Sequence, residues 1–128
     1  MEKFAWKAGF CTANKVTEEK YYLLGLAEDM HNFDHYLIFE KPYDNPEAEA
    51  TGIYVDAQGN SSYGKIEYVT LSVNRFVVLV DGVLFEIDVR NTKISKKFKE
   101  YSRAIFGNLL MELDEPLEID EEEDEDDE

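Results

Sequence analysis

One cysteine, Cys11, stands in 128 residues, so no internal disulfide can form, and a reducing setting fits the chain best. Histidine is almost as scarce. Only His31 and His35 are present, and a turn-like Asn32-Phe33-Asp34 separates them. Their spacing of four would share a face on a helix, but here His35 opens a strand, so the pair reads as exposed loop residues and no metal is expected. No run of ~18 apolar residues occurs, and no membrane-crossing segment is expected. In the opening MEKFAWKAGFCTANK, Lys7 interrupts what would be the apolar core of an export signal. Phe10 before Cys11 is wrong for a lipoprotein cleavage site. Both features point to the cytoplasm. No internal repeat is visible.

Basic residues are missing altogether from one part of the chain. Thirteen of the 29 acids lie in 112–128, which holds no Lys or Arg. The rest carries 16 acids against 13 bases, a net of −3 out of a total of −16. The globular part is therefore nearly balanced and the tail is the anion. Direct binding to nucleic-acid phosphates is disfavoured, because it needs clustered Lys and Arg. A basic protein surface is the favoured partner. Like-charge blocks of this kind are disordered, and the tail has little to bury beyond Leu117 and Ile119. The expected organisation is one domain over 1–111 and an acidic, disordered tail over 112–128. With 44% hydrophobic and 13% aromatic residues, that domain has material for a real core.

The strongest pattern is IEYVTLSVNRFVVLVDGVLFEIDV, Ile66 to Val89. Asp81-Gly82 between apolar runs signals a two-residue hairpin with φ > 0 at both positions. Val83, Phe85, Ile87 and Val89 alternate with more polar neighbours, giving one buried face. Phe76 to Val80 is apolar throughout, as for a central strand covered on both faces. Ser72-Val73-Asn74-Arg75 turns the chain back from Ile66–Leu71. The result is a three-stranded antiparallel meander.

Upstream, Lys3 to Thr12 reads as one strand, and Ala13-Asn14-Lys15 as a turn. Tyr21 to Ala27 follows as a strand in which Gly25 signals a bulge or close approach. His35 to Lys41 is the next strand, Pro42 to Thr51 an exposed loop, and Gly52 to Asp56 a short strand. Ala57 to Asn60 is a turn and Ser61-Ser62-Tyr63-Gly64 a connecting loop. At the C-terminal end Ser95 caps a helix whose Ile94, Phe98, Tyr101, Ile105 and Leu109 form one apolar stripe. Gly107 weakens its interior. The predicted fold class is α+β, a meander-rich antiparallel sheet with one C-terminal amphipathic helix packed on a face.

Residues placed to carry chemistry are few. Cys11 lacks a positioned base and reads as a small, buried strand residue. Ser61–Gly64 is not in the strand–turn–helix setting of a serine nucleophile. Gly59 and Gly64 lack the Gly-Lys-Ser/Thr ending of a phosphate loop. Glu86 and Asp88 read as solvated alternation on one strand. No catalytic, cofactor-binding or metal-binding residue is expected. Eight tyrosines are present, and Tyr43 and Tyr63 lie in or beside loops, where tyrosine serves interfaces well.

Three segments, Tyr36-Leu37-Ile38-Phe39-Glu40-Lys41, Ser62-Tyr63-Gly64-Lys65-Ile66-Glu67-Tyr68-Val69-Thr70-Leu71 and Asn74-Arg75-Phe76, are followed by the amphipathic helix with Phe98 and Ile105-Phe106. Together they resemble the immunity protein 10 family of bacterial polymorphic toxin systems, from about Glu18 to Phe106. The chain has Glu40-Lys41 where such sequences tend to carry Gln-Arg, and Lys65 in place of a second glycine. The resemblance implies an intracellular inhibitor that binds and blocks a cognate toxin, in keeping with the lack of a catalytic constellation; the acidic tail adds the expectation of a toxin with a basic active cleft. It brings no catalytic residues with it. The expected partner-binding residues are Tyr43, Asp44 and Glu47 in the first loop, Ser62 and Tyr63 in the second, and Glu121, Glu122, Glu123 and Asp124 in the tail. The rival expectations are an acidic chaperone or nucleic-acid mimic acting through the tail, and a small-ligand-binding sheet domain.

Overall fold

The computed structural model describes residues 2–29, 34–57, 60–92 and 94–113. The meander forms where the pattern places it: β7 (Ile66–Leu71), β8 (Arg75–Val80) and β9 (Val83–Asp88) pair antiparallel in that order. Asp81 and Gly82 have φ of 51° and 78°, the double left-handed turn whose twist matches a hairpin. Phe76, Val78, Phe85 and Ile87 are buried on one face. Their alternates Val77 and Leu79 are only half-buried, so β8 is covered on one face rather than both. A register shift between Ile66 and Tyr68 leaves Glu67 as the extra residue of a bulge.

Among the described residues, ten strands divide between two five-stranded sheets. In the first, β1 (Glu2–Lys7) lies parallel to β9, and β10 (Leu110–Glu112) lies parallel to β7. The second runs in chain order and is antiparallel throughout: β2 (Phe10–Val16), β3 (Tyr21–Ala27), β4 (Tyr36–Pro42), β5 (Tyr54–Ala57) and β6 (Asn60–Tyr63).

Several local expectations change. The single strand over Lys3–Thr12 is two, broken at Ala8-Gly9, where the chain leaves one sheet for the other. The Ala8 N–H donates to Asp88 O in the first sheet, and the next N–H, from Gly9, donates to Ala27 O in the second. A Cβ on Gly9 would stand 2.7 Å from the Glu28 carbonyl oxygen, so only glycine fits this corner. Ala13-Asn14-Lys15 is not a turn but the middle of β2; the reversal comes at 17–20, with Lys20 at φ 59°. Polar residues on an edge strand mimic a turn signal. The loop over Pro42–Thr51 contains a short helix, α1 (Pro46–Thr51). Pro46 opens it and the Glu49 carboxylate accepts from the Asn45 N–H, both good helix-start chemistry. Ser61–Gly64 is mostly strand, since β6 pairs with β5. Gly25 marks close packing, not a bulge: its Cβ would lie 3.0 Å from Thr12 Cγ2.

The inner faces of the two sheets share one core. Phe39 of the second sheet meets Phe76 of the first at 5.9 Å between ring centroids. The helix α2 (Lys96–Phe106) adds Phe106, 5.0 Å from Phe39 and edge-on, and Phe98, 6.0 Å from Phe76. Ser95 caps it as expected, accepting from the Phe98 N–H at 3.0 Å. Gly107 takes φ 55° and ψ −127°, a backbone conformation open to glycine, and ends the helix. Ile105 is buried and Leu109, beyond the helix in a 3-10 turn, is exposed. Glu112 lies in β10, where Arg103 of α2 grips it with Nε 2.6 Å and Nη2 2.8 Å from its two oxygens. The tail expected to be disordered from 112 thus begins in the sheet, with the Leu113 N–H donating to Leu71 O at 2.8 Å; the rest of it, 114–128, lies outside the described residues.

Candidate protein-binding face

The residues expected to contact a partner scatter. Tyr43 is half-buried and built into a stack, 5.0 Å from the Tyr22 ring, with Lys15 Nζ 5.0 Å from its centroid. Its backbone N–H donates to Lys20 O. Asp44, at φ 56°, and Glu47 are exposed beside it, at the β4–α1 junction. Ser62 and Tyr63 stand opposite Val55 and Tyr54 in the β5–β6 register. Glu121, Glu122, Glu123 and Asp124 lie outside the described residues, as do His31 and Gly59.

What the fold brings together is a different set. In the second sheet, Leu24, Leu26, Leu37, Phe39 and Val55 are buried toward the first sheet and α2. The opposite parity forms an outer face that neither covers. Register defines its rows. Asn14, Leu23, Glu40 and Tyr54 stand opposite one another across β2 to β5; Thr12, Gly25, Ile38 and Asp56 form the next row. Tyr21 and Tyr36 extend the face at either end of the strand pair, and Phe10 is 37% exposed at its edge. Tyrosines, a phenylalanine and branched aliphatics surround two carboxylates.

Glu40 and Asp56 are diagonal neighbours on this face, close enough for long side chains to interact. The Tyr36 hydroxyl donates to Asp56 Oδ1 at 2.8 Å. Partial burial pushes the Glu40 carboxyl above its usual range, and the charges of Asp56 and Glu19 push it further. Burial also raises the Tyr21 hydroxyl, with Glu40 and Glu19 adding to it. A cavity of about 270 Å³ opens here, lined by Glu19, Lys20, Tyr21, Glu40, Asn45 and Tyr54 among others. Outward positions of β2 to β5 hold no Lys or Arg.

The outer face of the first sheet is built differently. There Glu86 has Lys3 Nζ at 3.1 Å and Arg75 at 3.9 Å, and Asp88 has Arg90 Nη2 at 2.8 Å. Arg90 holds the Asp88 carboxyl below the usual carboxylate range. Glu86 and Asp88 are thus each held beside a base.

The remaining reactive groups are tied into local structure. His35 Nδ1 lies 2.7 Å from Glu28 Oε1, with its ring stacked on Trp6 at 6.0 Å. Cys11, on the edge strand β2, is half-buried rather than buried as expected, and partial burial raises its thiol. Among the described residues, no three His, Cys, Asp or Glu side chains converge as a metal-ligand set, and no helix is long and apolar enough to cross a membrane. A larger cavity, about 460 Å³, lies between the β7–β8 turn, α2 and β10, with Val73, Ile94, Lys99 and Leu113 in its wall.

Sequence reasoning passed over Glu40, Asp56, Tyr21, Tyr36 and Tyr54 because each read as an ordinary strand residue. The alternation Tyr36, Ile38, Glu40 did put these three on one face. It carried no sign that the opposite face would take the core. No protein-family model, curated protein or solved structure matches this chain.

Proposed function

We propose that this chain is a non-enzymatic immunity protein that binds and neutralises a cognate bacterial toxin in the cytoplasm of the cell that makes it. The observation that carries this reading is the open outer face of the second sheet. It combines rigid aromatic area from Tyr21, Tyr36 and Tyr54 with the aliphatic Leu23 and Ile38, the composition that protein interfaces favour. An inhibitor of this kind needs only a complementary surface of ~800 Å² on its own side. The resemblance to the immunity protein 10 family points the same way. So does the anionic tail, which speeds encounter with a basic cleft.

The test is co-expression with a toxin domain encoded beside it. Protection of growth, and a stoichiometric complex of the two purified proteins, are the expected outcomes. A chain that neither protects nor binds, or that turns over a substrate by itself, removes the reading. The 13 acids of 112–128 favour one second reading, an acidic mimic that occupies basic proteins through the tail alone. In that case charge-neutral replacements of Glu121, Glu122, Glu123 and Asp124 abolish binding rather than slow it.

A further inference from the structure

We propose that the outer face of the second sheet, centred on Glu40 and Asp56, is the surface on which the toxin docks, and that the toxin meets it with a basic patch whose Lys or Arg side chains face these two carboxylates. This rests on the immunity reading and adds to it the surface and the charge of its partner.

Two acids sit side by side on a partly desolvated sheet face whose outward strand positions hold no base. On the other sheet, by contrast, Glu86 lies beside Lys3 and Arg75, and Asp88 beside Arg90. Like charges on neighbouring strands are destabilising, and here Asp56 and Glu19 hold the Glu40 carboxyl up. A cation from outside reverses that penalty, whereas an anionic or purely apolar partner leaves it in place. Tyr21 and Tyr54 line the cavity beside Glu40, and their rings suit the stem and head of a Lys or Arg side chain. Lys20, in the same wall, keeps the site from being uniformly acidic. It leaves Asp56, one strand further on, as the second contact.

The experiment measures the affinity of the full chain for the toxin domain encoded by the adjacent gene, with E40K, D56K and a control, E67K. Glu67 is an exposed acid on the bulge of the first sheet, so E67K changes net charge equally without touching the face. Circular dichroism checks each fold, and E40Q, nearly the same shape, replaces E40K if that variant unfolds. The expected result is at least ~10-fold weaker binding for E40K and D56K, with E67K within ~2-fold of wild type. Equal losses in all three, or none in the two face variants while wild type binds, overturn the docking surface and leave the immunity reading standing. A wild-type chain that does not bind the toxin overturns both.

Discussion

Lys65 and Asp81 hold each other through two hydrogen bonds. The Lys65 N–H donates to Asp81 Oδ1 at 2.9 Å, and the Asp81 N–H donates to Lys65 O at 2.9 Å. Asp81 thus serves both as the first left-handed residue of the β8–β9 turn and as the clamp on the crossing from the second sheet to the first. Gly64 beside it is packed so closely that a Cβ would meet Val80 Cγ2 at 2.6 Å.

Replacing Asp81 tests these two roles together. Asn tolerates positive φ and keeps a side-chain acceptor for the Lys65 N–H, so D81N is expected to fold with little loss. D81A loses both, and is expected to be destabilised by about 1–3 kcal/mol. Chemical denaturation of the two variants checks the difference.

The other crossing is equally intolerant. G9A drives a methyl against the Glu28 carbonyl oxygen, a backbone atom that has no rotamer by which to move aside. A loss of about 1–3 kcal/mol is expected, as for other overpacked sites. An unchanged unfolding midpoint would show that the corner can open.

Glu40 gives a stability effect of the opposite sign. Its folded-state carboxyl titrates higher than in the unfolded chain, through burial first and then Asp56 and Glu19. The folded state therefore loses stability as pH rises through the Glu range, and the penalty is absent below it. E40Q is expected to melt higher than wild type at pH 7, with the gap closing as pH falls below ~4. If the same variant also weakens toxin binding, stability and function oppose each other at one side chain.

Glu112 behaves conversely. The Arg103 hydrogen bonds hold its carboxyl low, so its contribution is present above the normal Glu range and fades as pH falls through the depressed value. Both side chains are largely in water, and the effect is expected to be small and to shrink further in salt. Melting curves of E112Q against wild type at pH 7, in low and high salt, check this.

Removing Asp120–Glu128 tests the tail. If the sheet face supplies the contacts, the truncated chain is expected to associate more slowly and with a shallower salt dependence. Its dissociation rate should stay within roughly 2-fold. Stopped-flow association at several ionic strengths reads both quantities.

Local chemistry made much of this fold legible from residues alone. Asp81-Gly82 specifies its turn because few other pairs accept two positive φ values. Ser95 specifies a helix start by its hydroxyl, and the Phe98 to Ile105 stripe demands a core to bury it. These signals involve residues a few positions apart, so the order of residues is enough to carry them. The division into two sheets was not legible, because it depends on which carbonyl receives each N–H at Ala8 and Gly9, and those partners are 80 and 18 positions away. Period-two alternation likewise says that a strand has two faces, without saying which one meets the helix and the other sheet. That choice buries Leu24 and Phe39, leaves Leu23 and Glu40 outside, and sets Glu40 beside Asp56. Only packing in three dimensions decides it, since both sets are apolar enough to compete for the core.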